Sequence, residues 1–324
     1  MPPGSSAARV LVTGGFGFVG RRLRALLSQR HPDWEFVVPA RPAGEAGEGL
    51  TLDVKDQDGV RRLIGAIEPD IVIHLAAVTT IGSSTRAPRE AWEVNFDGTL
   101  NIVLALQELS PHAHLLFVSS AEVYGASLRQ PGLTDERALL EPLNPYAASK
   151  AAADILVRQV AANGLSTCVV RPFNHTGPGQ AQAFVAPSFA GQIARIEAGL
   201  QPPLMTVGNL DDERDFLDVG DVVSAYTLVL EARERLGPGR VFNVASGKPV
   251  RIGDLLEILL SDSRCRIEVR LDPSRLRQAT TPRVAGDASK LRRELGWAPI
   301  IAFRTTLLEI LAEQRAALAR NHPA

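Results

Sequence analysis

Short apolar runs alternate along the first half of the chain with longer segments whose apolar residues recur at helical spacing. The runs have the length of buried strands, and the longer segments have the period of helices. In chain order they are ARVLVTG, a helix over about residues 17 to 30, EFVVP, a helix near 56 to 67, DIVIHLA, a helix near 88 to 109, HLLFVSS, a helix over about 145 to 163, and LSTCVVRP. This alternation predicts an α/β fold with a doubly wound parallel sheet of the Rossmann type.

The alternation of strands and helices becomes less regular at about residue 174, where Pro and Gly are frequent in RPFNHTGPGQ, GLQPPLM and RLGPGR. We therefore expect residues 1–173 to form the sheet domain. Residues 174–324 should form mainly a smaller mixed lobe, with some segments returning to the sheet domain. Ligands of such sheets bind at the carboxyl ends of the strands, so the lobe should bind substrate over that edge.

The amino-acid composition limits the classes of partner that the protein can bind. The chain has 324 residues with 35 basic and 36 acidic side chains, and its arginines are scattered, which argues against nucleic acid. The opening MPPGSSAAR lacks the apolar core of a signal peptide, and no later segment offers about 18 uninterrupted apolar residues. We therefore expect a soluble, cytoplasmic protein with no membrane partner.

Neither the cysteines nor the histidines indicate a redox pair or a metal. Cys168 and Cys265 lie far apart, and Cys168 stands in an apolar run typical of a packed thiol. His112 and His114 precede a strand, but no further ligand cluster is visible around them. We predict no metal site.

A glycine-rich turn follows the first predicted strand and opens the first predicted helix, in VLVTGGFGFVGRRL. Gly14, Gly17 and Gly20 stand at three-residue spacing, and Gly15, Gly17 and Gly20 also satisfy G-x-G-x-x-G. Such a turn allows close backbone approach to a pyrophosphate and aims helix N–H groups at the anion. The context favours a dinucleotide site over a plain glycine-rich turn.

The residues after the second strand bear on which dinucleotide is bound. NAD sites usually place an acid there to accept from the ribose hydroxyls, whereas this chain reads VVPARPAG, with Arg41 and no carboxylate before Glu45. Arginine suits a 2′-phosphate, so NADP(H) is favoured and NAD(H) stays possible. Asp53 in LTLDV either accepts from the adenine amino group or is a surface-turn aspartate.

The segment NPYAASKAAAD places Tyr146 and Lys150 four residues apart, on one face of a helix. An ammonium beside a phenol should lower the pKa of Tyr146 from near 10, so that it exchanges a proton close to neutral pH. Ser120, at the end of a neighbouring strand, can hydrogen-bond the same substrate oxygen. The alternative is a packed tyrosine with a solvated lysine.

Taken together, TGGFGFVG, HLAA at 74 to 77, the Asn95 stretch VNFDGT, SSAEVYG and YAASK resemble the extended short-chain dehydrogenase/reductases over nearly the whole chain. The resemblance implies an enzyme that uses NAD(P) on a sugar nucleotide, with Ser120, Tyr146 and Lys150 as its catalytic set. The cofactor contacts it implies are Gly14, Gly17, Phe18, Val19, Arg41, Asp53, Val54, Leu75, Ala76, Ala77, Ser119, Tyr146 and Lys150.

Motifs in the second half of the chain indicate which subgroup of this family the sequence resembles. RPFNHTGPGQ, the FVAPSFAGQIARIEAGL helix and RDFLDVGDVVSAY resemble the GDP-4-keto-6-deoxy-D-mannose reductases, which form GDP-D-rhamnose. By position, Asn174 would contact the phosphate or sugar, Arg214 and Arg277 the diphosphate, and Gln192 and Arg195 the guanosine end. Arg214 has a plainer interpretation as the partner of a flanking acid. His175 is more often a packed histidine than a catalyst.

The presence of Glu122 leaves two reactions possible, reduction and dehydration. The related GDP-mannose 4,6-dehydratases use a glutamate here to remove the C5 proton, and in this chain Ser120, Ala121 and Glu122 occupy the corresponding places. The alanine and serine favour a reductase, but some reductases also carry this glutamate. A dehydratase, or another sugar-nucleotide reductase or epimerase, therefore stays an alternative.

The alternative from a different class of protein is a dinucleotide sensor without turnover. A sensor needs the glycine turn but not the catalytic side chains, so the intact Ser120, Tyr146 and Lys150 argue against it.

The helices near 88 to 109 and 145 to 163 also carry apolar residues such as Leu104 and Ile155. Family members commonly pair these helices across a four-helix interface, so we expect a homodimer. Packing against the sheet explains many of the same residues.

Overall fold

The structure, a computed structural model, describes residues 7–42, 49–273 and 281–321. At its centre is a six-stranded sheet in the order β2-β1-β3-β4-β5-β9, with every neighbouring pair parallel. Its strands are β1 Arg9–Thr13, β2 Glu35–Val37, β3 Ile71–His74, β4 His114–Val118, β5 Ser166–Pro172 and β9 Arg240–Val244. The predicted doubly wound α/β fold is confirmed.

Helices cover both faces of this sheet because the inner strands β1, β3, β4 and β5 carry buried side chains on both sides. On one face α1 packs beside α8, and on the other α2 packs on α5 and α5 on α6. The long helices that flank the sheet are α1 Phe18–Arg30, α2 Gln57–Ile67, α5 Gly98–Leu109, α6 Pro145–Ala162 and α8 Val219–Glu231. The shorter ones are α3 Ile81–Arg86, α4 Pro88–Trp92 and α10 Ser289–Leu295.

The helix predicted near 88 to 109 is interrupted. A π turn at Glu93–Asp97 joins α4 to α5. Its buried Asn95 turns inward, and the Asn95 side chain bonds both the backbone of Val78 and the Ser149 hydroxyl. Such turns add one residue to a helix and are frequent at functional sites.

The smaller lobe follows β5. One sheet runs β10-β8-β12 with β6 also on β8, and β7 pairs with β11. Helices α7, α9 and α11 enclose a separate apolar cluster around residues such as Phe189, Leu255 and Ile310. The bounds are β6 Asn174–Thr176, α7 Val185–Glu197, β7 Leu204–Val207, β8 Glu213–Asp218, β10 Pro249–Arg251, α9 Ile252–Ser261, β11 Glu268–Leu271, β12 Arg283–Val284 and α11 Phe303–Asn321.

Strand β9 returns from this part of the chain to the edge of the central sheet. Side chains bond its outer edge: the Lys290 ammonium donates to the Val241 carbonyl at 2.7 Å, and the Asn243 N–H donates to Glu136 Oε1 at 2.8 Å. Unpaired strand edges invite pairing with other chains, and charged side chains are a common protection. Within the described ranges, no helix is both long and apolar enough to cross a bilayer.

Candidate active site

The glycine turn after β1 is shaped by contacts that exclude side chains. Gly14 has a φ of +70°, and a Cβ on it would stand 2.7 Å from the Ala76 nitrogen. A Cβ on Gly20 would stand 2.5 Å from the Gly14 carbonyl oxygen. The turn closes with a hydrogen bond from the Gly17 N–H to the Gly14 carbonyl at 3.0 Å. These positions therefore hold β1, β3 and α1 in close contact.

Helix α1 begins directly on this turn, with Gly17 as its N-cap. Over the described part of the chain, no side chain caps it. Its first N–H groups, those of Phe18 and Val19 among them, are thus available to an anion, which the helix dipole also favours. The geometry fits the pyrophosphate of a dinucleotide.

Most of the other predicted cofactor contacts lie along the same edge of the sheet. Leu75, Ala76 and Ala77 follow β3, and Ser119 follows β4. Val54 is buried, with its carbonyl bonded by Asn101, whereas the Asp53 carboxylate accepts from the Lys55 N–H in a local turn. Arg41 is placed differently: its side chain is 72% exposed and pairs with Glu90 at 3.2 Å.

Ser120 and Tyr146 meet at the carboxyl end of β4. Ser120 caps a 3₁₀ turn, Ala121–Tyr124, and its hydroxyl accepts from the Glu122 N–H at 3.2 Å. The Tyr146 hydroxyl, from the first turn of α6, lies next to the Ser120 side chain, which acts to lower the pKa of Tyr146. The pair can therefore contact one oxygen atom of a ligand.

Lys150 lies one turn further along α6, buried to 3% exposure. Its ammonium donates to the Val118 carbonyl at 2.5 Å and lies 4.3 Å from the centre of the Phe117 ring. Burial lowers the pKa of Lys150 to about 7, although Asp154 acts in the opposite direction. The charge of this lysine is therefore held by a carbonyl and an aromatic face.

The expected lowering of the Tyr146 pKa is wrong in direction. Burial raises the pKa of Tyr146 to about 12, and Glu122 adds to this, while the Ser120 hydrogen bond lowers it. The ammonium of Lys150 is directed to Val118 instead. Tyr146 is thus a protonated phenol at neutral pH, which is the form of a proton donor.

Two asparagines that the sequence reasoning did not assign to the site fix the helix that carries Tyr146 and Lys150. Asn144 caps α6 by accepting from the Ala147 N–H at 2.8 Å, with Pro145 at the first helical position. Asn95 donates to Ser149 at 3.0 Å, and Ser149 donates to the Tyr146 carbonyl. The N-P at residues 144 and 145 is a helix-start signal that could have identified Asn144.

A buried histidine also went unassigned in the sequence. His74 lies at the end of β3, with Thr13 at 2.7 Å from one ring nitrogen and Thr99 at 3.2 Å from the other. Burial, with a contribution from Lys150, lowers its pKa to about 3. It is therefore neutral, and it ties β1, β3 and α5 together beneath the site.

Glu122 lies near the Ser120–Tyr146 pair. Its carboxylate hydrogen-bonds the side chain of Asn144. Burial raises the pKa of Glu122, while the charge of Arg214 and the Asn144 bond lower it. Glu122, Asn144 and Arg214 thus surround one side of the Ser120–Tyr146 pair.

The predicted substrate contacts are distributed over the lobe. Asn174 is exposed at the start of β6, and Arg214 on β8 pairs with Asp212 at 3.0 Å while lying close to Glu122. Gln192 is buried on α7 and donates weakly to Ser188 at 3.5 Å. Arg214 therefore has the flanking-acid partner, and its contact with the diphosphate stays a prediction.

Arg195 and His175 make contacts within the protein. The Arg195 guanidinium donates to Gln182 and Gln201. His175 stacks on Phe18 with ring centres 6.3 Å apart and donates from Nδ1 to the Phe173 carbonyl, so it holds the loop after β5 against α1. Arg277 lies outside the described residues.

Comparisons with known proteins extend over both parts of the chain. A family model described as GDP-mannose 4,6 dehydratase matches residues 11–310. The GDP-6-deoxy-D-mannose reductase of Pseudomonas aeruginosa is 39% identical over 94% of this chain and 96% of its own. GDP-mannose 4,6 dehydratase 2 of Arabidopsis thaliana is 30% identical over 83% of this chain and 72% of its own.

Solved structures agree with these matches. The structure of RMD from P. aeruginosa complexed with NADPH has a TM-score of 0.82 and 36% identity, and the alignment covers 96% of this chain and 100% of that one. The match therefore includes the central sheet and the smaller lobe alike.

Proposed function

Because the chain belongs to the GDP-mannose 4,6 dehydratase family, we propose that it reduces the C4 keto group of a nucleotide-activated 4-keto-6-deoxy sugar, with NADPH as reductant. Membership confirms the resemblance inferred from the sequence. The substrate we assign is GDP-4-keto-6-deoxy-D-mannose, and the product is GDP-D-rhamnose. The greater identity to a reductase than to a dehydratase supports this choice.

The observation that carries the proposal is the position of Tyr146 in the first turn of α6, with its hydroxyl next to Ser120 at the carboxyl end of β4 and the buried Lys150 one turn further on. Reduction of a ketone develops negative charge on its oxygen, which must receive a proton. A phenol whose pKa is raised to about 12 is fully protonated at neutral pH and can supply it. The site is therefore set for proton donation.

Gly14, Gly17 and the first turn of α1 would hold the pyrophosphate of the cofactor, with Leu75, Ala76, Ala77 and Ser119 along its length. When bound, NADPH supplies the hydride that adds to C4. NADP(H) is favoured because no carboxylate follows β2 in the described residues up to Pro42, and NAD(H) stays possible. Lys150 is suited to hold ribose hydroxyls as well as to act on Tyr146.

Three side chains of this protein complete the reaction. Tyr146 gives its hydroxyl proton to the oxygen of C4 as that oxygen becomes a hydroxyl. Ser120 orients the same oxygen by a hydrogen bond. Lys150, four residues from Tyr146 on the same helix, is assigned to stabilise the phenolate that remains, for which its ammonium would turn from the Val118 carbonyl towards Tyr146.

The substrate contacts belong to the same proposal. Arg214, beside Glu122, is positioned to hold the diphosphate, and Asn174 the sugar or phosphate. Gln192 and Arg195 on α7 are assigned to the guanosine end. Arg277 is assigned to the diphosphate from its sequence position alone.

A second candidate is the dehydratase reaction, because a carboxylate lies where a C5 proton would be removed. Glu122 is beside Tyr146, and its raised pKa suits a general base. To separate the two, the enzyme is incubated with GDP-4-keto-6-deoxy-D-mannose plus NADPH, and separately with GDP-mannose alone. NADPH oxidation with a GDP-D-rhamnose product by NMR supports reduction; a 4-keto product from GDP-mannose without added NADPH supports dehydration.

Glu122→Gln gives a sharper test. Reduction breaks no C–H bond next to the carbonyl, so Glu122 only positions substrate or a water, and kcat/KM should fall less than about tenfold, or roughly 1.4 kcal/mol. A dehydratase that loses its base should lose roughly 10² to 10⁴ in rate. Two measurements are made on both proteins: steady-state NADPH oxidation with GDP-4-keto-6-deoxy-D-mannose, and formation of a 4-keto product from GDP-mannose.

Deuterium at C5 provides the second readout. In D₂O, wild-type reduction should leave C5 of the product unlabelled, whereas a base that removes this proton introduces label. Glu141→Gln is the matched control, since Glu141 accepts from Ser127 at 2.7 Å and glutamine keeps an acceptor there. A collapse of Glu122→Gln together with label at C5 would make Glu122 the catalytic base.

A cytoplasmic location and a homodimer complete the proposal. Leu104 on α5 is 44% exposed and Ile155 on α6 is 52% exposed, although both helices are otherwise well packed. The two helices contact each other. Their exposed apolar side chains therefore form one surface, which a second copy would cover as a four-helix interface.

Ile155→Asp should convert the dimer into a monomer, because a carboxylate would be buried without a partner at this interface. Light scattering at micromolar concentration measures the mass, which should fall from two chains to one. Leu139→Asp is the control: Leu139 is 71% exposed but lies outside α5 and α6, so its mass should stay that of wild type. A wild-type monomer contradicts the homodimer.

A further inference from the structure

Arg24 lies against the glycine turn from the second turn of α1. Its Nη1 is 3.5 Å from the Gly15 carbonyl, and its guanidinium carbon is 5.2 Å from the centre of the Phe16 ring. Phe16 is itself 48% exposed. The cation is therefore stacked on the outer rim of the turn, where part of the ring faces solvent.

The same arginine reaches the end of β2. A Cβ built on Gly15 would stand 2.5 Å from Cγ1 of Val38, the residue that follows β2, and 3.2 Å from Cδ of Arg24. Arg24 and Val38 thus both lie against Gly15. The end of the second strand is where Rossmann domains contact the adenosine ribose.

The charge of Arg24 has little compensation from the protein. Its Nε is buried with no hydrogen-bond partner, and within residues 7–42, 49–273 and 281–321 no carboxylate oxygen lies within ion-pair distance of it. Arg41 differs, since it is mostly exposed and already paired with Glu90. An unsatisfied buried donor on a permanent cation is costly unless a ligand satisfies it.

We propose that Arg24 binds the 2′-phosphate of the adenosine ribose and so sets the preference for NADPH over NADH. This rests on the dinucleotide site of the proposed function and adds a residue to it. A guanidinium presents a planar fork of donors that matches a phosphate. Val38, with no carboxylate, leaves nothing at the strand end to repel that group.

The test measures binding of adenosine 2′,5′-bisphosphate and of 5′-AMP by calorimetry, which needs neither the sugar nor turnover. Arg24→Met keeps the aliphatic stem beside Gly15 but removes the charge. The dissociation constant of the bisphosphate should rise roughly 10- to 100-fold, as expected for a hydrogen bond to a charged group, while that of AMP changes less than about twofold. Arg24→Lys should retain part of the difference.

Arg30→Met is the matched control, because Arg30 lies on the same helix at the end away from the glycine turn, where it is exposed and donates to Glu231. It should leave both constants within about twofold of wild type. Equal weakening of both ligands by Arg24→Met, or a selective loss in Arg41→Met but not in Arg24→Met, overturns the proposal. Failure to reduce a 4-keto sugar leaves this binding result standing, so the two inferences fail separately.

Discussion

Tyr146→Phe should lower kcat for reduction by roughly 10² to 10⁴, the range that general acid catalysis contributes. The phenylalanine ring keeps the packing at the start of α6, but no group remains to donate a proton to the oxygen of C4. NADPH affinity should stay within a few-fold of wild type, because only one hydroxyl is lost. NADPH absorbance measures turnover, and NADPH fluorescence measures binding.

Tyr226→Phe is the matched control for this variant. Tyr226 is fully buried on α8, near enough to Tyr146 for the charges of the two side chains to interact, and its hydroxyl has no hydrogen-bond partner in the described parts of the chain. Its removal should therefore change kcat less than about twofold, since no bond is broken. Near-normal turnover in Tyr146→Phe would exclude Tyr146 as the proton donor.

Asp154→Ala should lower the free energy of unfolding by about 3 to 5 kcal/mol, because it leaves a buried guanidinium without its partner. Asp154 on α6 is fully buried and receives two hydrogen bonds from Arg171 on β5, at 2.8 and 2.9 Å. Arg171 is only 1% exposed. Urea unfolding followed by both fluorescence and circular dichroism measures the change where the two transitions coincide.

Two further variants separate the charge effect from lost packing. Arg158 also pairs with Asp154 at 3.0 Å but is 39% exposed, so Arg158→Ala should cost less than about 1 kcal/mol. The double variant Asp154→Leu, Arg171→Met should be more stable than Asp154→Ala, because no isolated charge stays buried. A loss below 1 kcal/mol in Asp154→Ala contradicts the assignment.

The parallel sheet followed from the sequence because its determinants are local. Each strand is a short apolar run, and each crossover helix has its own apolar period, so the pattern alone located β1, α1, β3 and β4 to within a few residues. The π turn at Glu93–Asp97 escaped prediction. One extra residue hardly changes the helical period, and Asn95 turns inward for partners 17 and 54 residues away.

The active site also combines features that the sequence predicts with features that depend on tertiary packing. Spacing placed Tyr146 and Lys150 on one helix face and the glycines on one turn. The direction of the Tyr146 pKa shift depends on how deeply α6 is buried against β4, which the sequence does not reveal. The role proposed for Arg24 has only a faint signal in the sequence: a basic residue one turn past Gly20, with no carboxylate directly after β2.

Strand β9 is synthesised long after the strand that it pairs with, β5. β5 ends at Pro172, but the strand that completes its edge begins only at Arg240, about 70 residues later. At a synthesis rate of roughly 5 to 20 residues per second, this interval lasts about 4 to 14 s. Throughout it, five of the six strands have been made, and β5 still has the row of backbone groups that β9 will pair. We therefore expect the growing polypeptide to be most prone to aggregation in this interval, because an unpaired strand edge is a template for pairing with other chains.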